Sequence, residues 1–239
     1  MMTLYTAIGT YKLNTSGLPT VMVGEQEYGL DSHELLLWSC LAFRILTYQE
    51  LKEEFCKQEK DLHILGELGF DRYLNRLITR RLVVSGQDCT GVDALYDLMG
   101  HLHVQPIPSG MAVKTMGFLK LWLCRGLSFH KAASIFHTEK LEPLEKCVLS
   151  LLKRQTLSTA ELILCLEKGK TSLKNTEELM ECLYADETAD CDSILTDGRV
   201  CESRYPVLTA IANLYFKQRH HLSDCIRRKP LGSYTKTII

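Results

Sequence analysis

One stretch of the sequence occurs twice, and this repeat constrains the fold more than any other feature. In a single alignment without a gap, the apolar run Leu36–Leu41 matches Cys147–Leu152, and Leu46–Leu51 matches Leu157–Leu162. In each copy an apolar helical segment leads to a Thr or Ser with a Glu three residues later, which is the pattern of a capping box at a helix start. The repeat predicts two copies of one helical unit.

In the first half of the chain, apolar periodicity and capping signals predict a series of helices followed by β structure. The helices are expected at residues 34–45, 48–58, 71–81 and 91–99. A β-like run at 82–84 and a turn at Ser85–Asp88 are expected between the last two helices.

The second half is expected to begin after a break at Pro106–Gly110, where Pro and Gly interrupt regular structure. Its helices are predicted from Met111 onward and at 129–136, 143–154, 176–184 and 207–222. Residues 193–200 are predicted to form a β hairpin with its turn at Asp197-Gly198.

The first thirty residues are richer in β-forming side chains than the rest. Leu4–Ile8 and Thr20–Val23 flank turn residues, which predicts a small N-terminal β hairpin or arm. The fold class expected for the whole chain is mainly α with small β elements. The predicted segments are an arm at 1–30, a helical domain at 31–105, a second helical domain at 111–226 and a basic tail at 227–239.

The helix predicted at residues 71–81 carries the strongest functional signal. Its apolar side chains fall toward one side, which the fold would bury. The opposite side presents polar side chains that suit the major groove of DNA, where Arg reads guanine, Asn reads adenine and Thr reaches phosphates or a thymine methyl group. These residues are Arg72, Asn75, Arg76, Thr79 and Arg80.

In the order of its elements and in its caps, the region 31–88 resembles the winged helix-turn-helix of bacterial-type transcription regulators. The resemblance implies that helix 71–81 lies in the major groove and that Ser85–Asp88, with Gln87, touch the DNA backbone. Together with the repeat it predicts two tandem winged-helix-like units. It implies a regulator of transcription that binds double-stranded DNA as a homodimer. One departure is that the wing at 85–88 holds no Lys or Arg for phosphate contacts.

The second copy is expected to be a poor DNA reader, because its predicted third helix carries Glu177, Glu178 and Glu181, which repel phosphate. Dimerisation or binding of a protein partner is the expected role of this half. The alternative function is an adaptor that binds another protein and no DNA, and it predicts an apolar or acidic exposed patch on the second half. A plasmid-type replication initiator is a further alternative, which the net charge of −1 disfavours.

The sequence predicts no enzyme, no cofactor and no metal site. The ten cysteines include no CxxC pair, and the histidine pairs at 101/103 and 220/221 have no partner at a standard ligand spacing. Gly169–Thr171 lacks the first glycine of a phosphate-binding loop.

A cytoplasmic location is expected, with most cysteines as free thiols. Residues Met1 to Tyr5 lack the basic start and long apolar run of a signal peptide. The most apolar run, Met111–Leu123, contains two lysines and is too short to span a membrane.

Overall fold

The computed structural model describes residues 1–63, 69–107, 140–153, 155–185 and 190–224. Among these residues about 51% are helical and 21% lie in strands, arranged as nine helices and three small sheets. The fold is therefore mixed α/β, and the prediction of a mainly α protein is wrong. The helices predicted from Met111 and at 129–136, and the basic tail 227–239, lie outside the described residues.

The first half begins with strands and continues with helices that a strand interrupts. Its strands are β1 (Met2–Ala7), β2 (Thr10–Leu13), β3 (Pro19–Val23), β4 (Gln26–Gly29), β5 (Leu46–Thr47) and β6 (Val83–Asp88). Its helices are α1 (Ser32–Leu41), α2 (Tyr48–Asp61), α3 (Phe70–Thr79) and α4 (Gly91–Met99).

The described part of the second half begins and ends with a strand. Its strands are β7 (Leu102–Pro106), β8 (Leu157–Ser158) and β9 (His220–Asp224). Its described helices are α5 (Pro143–Leu151), α6 (Thr159–Glu167), α7 (Thr176–Leu183), α8 (Cys191–Val200) and α9 (Arg204–Phe216).

Strand β1 is the centre of a core sheet, whereas the sequence predicted that it belongs to an N-terminal arm. It pairs antiparallel with β5 on one side and with β6 on the other. Strands β2, β3 and β4 form a separate antiparallel meander. Because β1 and β6 lie far apart in the sequence, no local pattern could show that they pair.

Both predicted wings are wrong. Ser85–Asp88 lie within β6, opposite β1, and the chain passes from there to α4 without a hairpin. Residues 193–200 belong to α8, which begins where the side chain of Asp190 accepts a hydrogen bond from Ser193 N–H at 2.8 Å. Gly198 is buried in this helix against Tyr96, and a Cβ at this glycine would lie 2.6 Å from the Tyr96 hydroxyl. Neither predicted wing hairpin is therefore present in the described residues.

The repeat found in the sequence is visible in the local structure. Thr47 caps α2 and Ser158 caps α6, and each cap forms a reciprocal capping box with a glutamate, Glu50 or Glu161. The short strands before these helices, β5 and β8, pair antiparallel with the central strands β1 and β7. The two halves thus share the order central strand, helix, short strand, helix.

A second alignment, in a different register, relates α3 to α9. Four buried positions of α3 correspond in this alignment to four buried positions of α9. They are Phe70, Tyr73, Leu74 and Leu77 in α3, and Val207, Ala210, Ile211 and Leu214 in α9. After each helix one residue has a positive φ, Arg81 at 55° and Gln218 at 54°. The third helix of the second unit is therefore α9, not the helix predicted at 176–184.

The change of register between the two alignments means that the second half carries an insertion between its second and third helices. Helices α7 and α8 lie in this insertion. In the first half only eight residues, 62–69, separate α2 from α3.

The two halves share one hydrophobic core. The Tyr215 hydroxyl of α9 donates to the carbonyl of Ala7 at 3.0 Å and accepts from Phe43 N–H at 3.1 Å, so it joins three elements of the molecule. Strand β7 precedes the predicted boundary at 106–110, yet it pairs with β8 and β9 of the second half. The described parts of the two halves thus pack against each other.

Candidate functional site

Five of the six residues predicted to bind DNA lie on one face of α3 and its C-cap. Of these, Arg72, Asn75, Arg76 and Thr79 are exposed, and Arg80 is partly buried. The Thr79 hydroxyl donates to the Asn75 carbonyl at 2.8 Å, so it turns back onto its own helix. The sixth residue, Gln87, is exposed on β6, and its backbone N–H donates to Asp97 Oδ2 at 2.9 Å. The predicted face exists, and the state of its charges decides what it can bind.

Two of the three arginines on this face form ion pairs. Arg76 Nε lies 3.0 Å from Glu34 Oε1, and Arg76 Nη1 lies 3.3 Å from Asp31 Oδ2. Arg80 Nη1 donates to Glu34 Oε2 at 2.8 Å, and Arg80 Nη2 donates to the carbonyl of Gly29 at 2.6 Å. Arg72 alone forms no ion pair with a described residue. The positive charge available to a phosphate backbone is therefore small.

An equivalent ion pair occurs in the second half. Lys217 corresponds to Arg80 when α9 is aligned with α3, and its Nζ donates to both carboxylate oxygens of Glu145 at 2.8 and 3.0 Å. Glu34 is 1% exposed and Glu145 is 0% exposed. A buried carboxylate is costly without a cation beside it, so each half supplies one from the C-cap of its third helix. Arg80 is thus a structural residue of the repeated unit.

A groove that the sequence did not locate lies in the second half between α7 and α8. Its volume is about 440 Å³, within the range of pockets that hold ligands or anchoring side chains. Its walls are mainly apolar and include Leu179, Met180, Tyr184, Ile194 and Leu195. Met180 stands at the rim with half of its surface exposed.

A buried carboxylate lines this groove. Glu161 is 8% exposed, and its Oε1 accepts a hydrogen bond from the Tyr184 hydroxyl at 3.0 Å. Its Oε2 accepts a hydrogen bond from Ser158 N–H at 2.6 Å. No described residue forms an ion pair with Glu161. His101, which directly precedes β7, and His103, which lies within β7, also line the groove.

The inserted helices create this environment. Glu50 is the counterpart of Glu161 in the first half, and it is exposed. Hydrogen bonds from Thr47 hold the pKa of the Glu50 carboxyl below its ordinary value. In the second half α7 and α8 pack on α6 and cover the equivalent glutamate. The groove is therefore formed by two helices that have no counterpart among the described residues of the first half.

A carboxylate also lies at the rim of the groove, and two more are exposed on α7. Asp192 of α8 lines the groove, whereas Glu177 and Glu181 lie outside its lining, and none of the three forms an ion pair with a described residue. Glu178, on the opposite side of α7, differs because Lys170 lies 3.3 Å away and neutralises it. The groove is thus apolar inside and negatively charged at its edge.

The sequence contained only part of the signal for this groove. Apolar positions at helical spacing predict one buried face of the helix at 176–184, and the acidic residues predict its repulsion of phosphate. However, the Asp-Gly pair at 197–198 favours a hairpin in the segment that forms the second wall. Without α8, neither the groove nor the burial of Glu161 can be derived.

A comparison with protein families, curated proteins and solved structures finds no match to this chain. Within the described ranges, the structure brings together no group of three or more His, Cys, Asp or Glu side chains that could hold a metal ion. In the same part of the chain no helix has both the length and the apolar character needed to cross a bilayer. The geometry of the site is therefore the basis for a functional proposal.

Proposed function

We propose that this protein is a protein-binding module whose recognition site is the groove between α7 and α8. The observation that carries the proposal is that two inserted helices build an apolar groove in one copy of a repeated unit. Apolar surface that stays open to solvent costs free energy, and on proteins it commonly marks a site where another molecule binds. A groove between helices with a charged rim suits the insertion of side chains from a partner protein.

DNA binding through α3 is the function that the geometry favours less. Binding to a phosphate backbone depends on cations that replace condensed counterions, and Arg76 and Arg80 already face carboxylates. Strand β6 also provides no wing beside α3, since it pairs with β1. In α9, the counterpart of α3, Leu208 and Ala212 are buried on the side that corresponds to the exposed Asp71 and Asn75.

Site-specific photocrosslinking in the native cell tests the proposal. A photoreactive amino acid replaces Met180 at the rim of the groove, and in a matched variant it replaces Leu62, which is 59% exposed at the end of α2. We expect protein adducts from position 180, identified by mass spectrometry, that Leu195→Glu suppresses. We expect no such adducts from position 62.

Retention on duplex DNA at increasing salt provides the opposing measurement. The proposal predicts weak retention that is the same for the native chain and for the Arg76→Ala/Arg80→Ala variant. Strong retention that salt weakens and that this double substitution abolishes would support DNA binding instead. Absence of protein adducts at position 180 would also overturn the proposal.

A further inference from the structure

We infer that the groove between α7 and α8 binds a basic amphipathic helix of a partner protein. The inference rests on the proposed protein-binding function and specifies the chemistry of the partner. Its starting point is the difference between three buried glutamates that each occupy the N3 position of a capping box, Glu34, Glu145 and Glu161. All three are buried, but only the first two have a cation beside them in the described structure.

Among the described residues, Glu161 is therefore the buried capping-box glutamate that has no cation beside it. A carboxylate withdrawn from water is stabilised by a paired cation, and the interaction is stronger at a partly buried site than in bulk solvent. The Tyr184 hydroxyl and the Ser158 N–H supply neutral hydrogen-bond donors and no positive charge. Since Glu161 lines the groove, a Lys or Arg from a bound partner can supply that charge.

Carboxylates outside the pocket also favour a positively charged partner. Asp192 of α8 lines the groove and is exposed, and Glu177 and Glu181 are exposed on α7 outside the lining. None of the three forms an ion pair with a described residue. Electrostatic complementarity with such a rim favours a partner that carries several positive charges around its apolar contact. A small molecule that fills the pocket would leave most of these carboxylates uncompensated.

The apolar walls define the other face of the partner. Leu179 and Met180 on α7 oppose Ile194 and Leu195 on α8, with room for a few apolar side chains. In helix-in-groove recognition, such anchors lie on one stripe of the bound helix at positions i, i+3, i+4 and i+7. A helix with an apolar stripe bordered by Lys or Arg can pack its apolar side chains on the walls and place its cations beside Glu161 and the rim.

Fluorescence anisotropy with the full-length protein and two labelled peptides tests the inference. The probe is a Leu/Lys peptide of about 14 residues, roughly four helical turns, with Leu on one stripe. The matched peptide has Glu in place of every Lys. We expect the Leu/Lys peptide to bind, and the Leu/Glu peptide to bind at least about tenfold more weakly, a difference of about 1.4 kcal/mol.

Two pairs of protein variants locate the peptide. Glu161→Gln keeps the capping box, because Gln also serves at N3, but it removes the charge. We expect it to weaken Leu/Lys binding about tenfold, whereas Glu50→Gln, the same change in the first half, leaves binding unaltered. Met180→Lys is likewise expected to weaken binding about tenfold or more, and Leu62→Lys to have no effect.

Equal binding of both peptides, or native affinity in both groove variants, would overturn the inference. A concentration-dependent dimer that Met180→Lys dissociates, measured by sedimentation velocity, would also overturn it in favour of a second copy. If photocrosslinking at position 180 still captures a protein while the Leu/Lys peptide fails, the partner chemistry is wrong and the proposed function stands. If the peptide binds but position 180 captures no protein, the proposed function fails.

Discussion

Buried glutamates hold several basic side chains of this protein in ion pairs and so limit which of them can bind another molecule. Glu34 draws Arg76 and Arg80 toward the body of the protein, and Glu145 draws Lys217 in the same way. A guanidinium that compensates a carboxylate with almost no solvent exposure contributes to folding, and it is poorly available to a phosphate. Only Glu161 among these glutamates has a groove on the side where a cation could approach.

The two structural ion pairs are expected to differ in how much their cations stabilise the fold. Lys217→Met removes the one described cation beside Glu145 and is expected to cost about 3 kcal/mol of unfolding free energy. Arg80→Met leaves Arg76 near Glu34, so we expect a smaller loss of about 1 to 2 kcal/mol. Urea denaturation measures both changes.

The matched control is Arg72→Met, which removes an exposed arginine with no ion pair in the described structure. We expect a change within about 0.5 kcal/mol. If Arg80→Met and Arg72→Met have equal effects, Arg80 has no structural role, and the case against α3 as a DNA reader loses its main support.

Helical periodicity is enough to predict that Arg72, Asn75 and Arg76 lie on the exposed side of α3. It cannot reveal the partners of the arginines, because Asp31 and Glu34 belong to a different helix end far away in the sequence. The capping box at Asp31 was accessible from the residue types, yet the reach of Arg80 to Glu34 depends on how α1 and α3 pack. The sequence alone therefore could not show that carboxylates neutralise two of the arginines on this face.

At the scale of elements, contacts with neighbouring elements determine whether a segment with a turn-like sequence forms a strand, a turn or a helix. The segment Ser85–Asp88 has the residue types of a turn, but β1 supplies a complete strand partner and holds the segment extended. The segment at 193–200 has a hairpin signal, but capping at Asp190 and packing on α6 favour a helix. Helix α4 begins and ends at the predicted residues.

Gly86 shows how closely β6 packs against α4. A Cβ at this position would lie 2.1 Å from the backbone nitrogen of Leu98 and 2.6 Å from the carbonyl oxygen of Ala94. Because the neighbouring atoms belong to the backbone, the helix and the sheet must separate to accept a methyl group. We expect Gly86→Ala to reduce the unfolding free energy by about 3 kcal/mol in urea denaturation.

Gly29 is the matched glycine for this experiment, because a Cβ there would meet nothing within 4 Å. We expect Gly29→Ala to change the unfolding free energy by less than about 1 kcal/mol. A small effect at both positions would mean that β6 and α4 are less tightly packed than the structure indicates.

At the scale of the whole molecule, the repeat is combined with a shared core. The sequence reveals the repeat through α1, α2 and their counterparts, which align in one register. It does not reveal that α9 is the counterpart of α3, since the inserted helices change the register. Nor does it show that Tyr215 reaches Ala7 and Phe43, because contacts between halves leave no periodic pattern in either half.

The shared core predicts that the two halves unfold together. Trp38 lies in α1 of the first half, and Trp122→Phe would make it the only tryptophan of the chain. We expect Trp38 emission and the far-ultraviolet circular dichroism of all helices to give one coincident urea transition. In that background Tyr215→Phe leaves Phe43 N–H without its acceptor. We expect the unfolding free energy to fall by about 2 kcal/mol, by the same amount in both probes.

Tyr205→Phe, at a residue that is 62% exposed, is the matched change, and we expect it to leave the unfolding free energy unchanged in both probes. Two separate transitions, or a Tyr215→Phe effect on one probe alone, would show that the halves are independent domains and that the groove could be studied in the second half by itself.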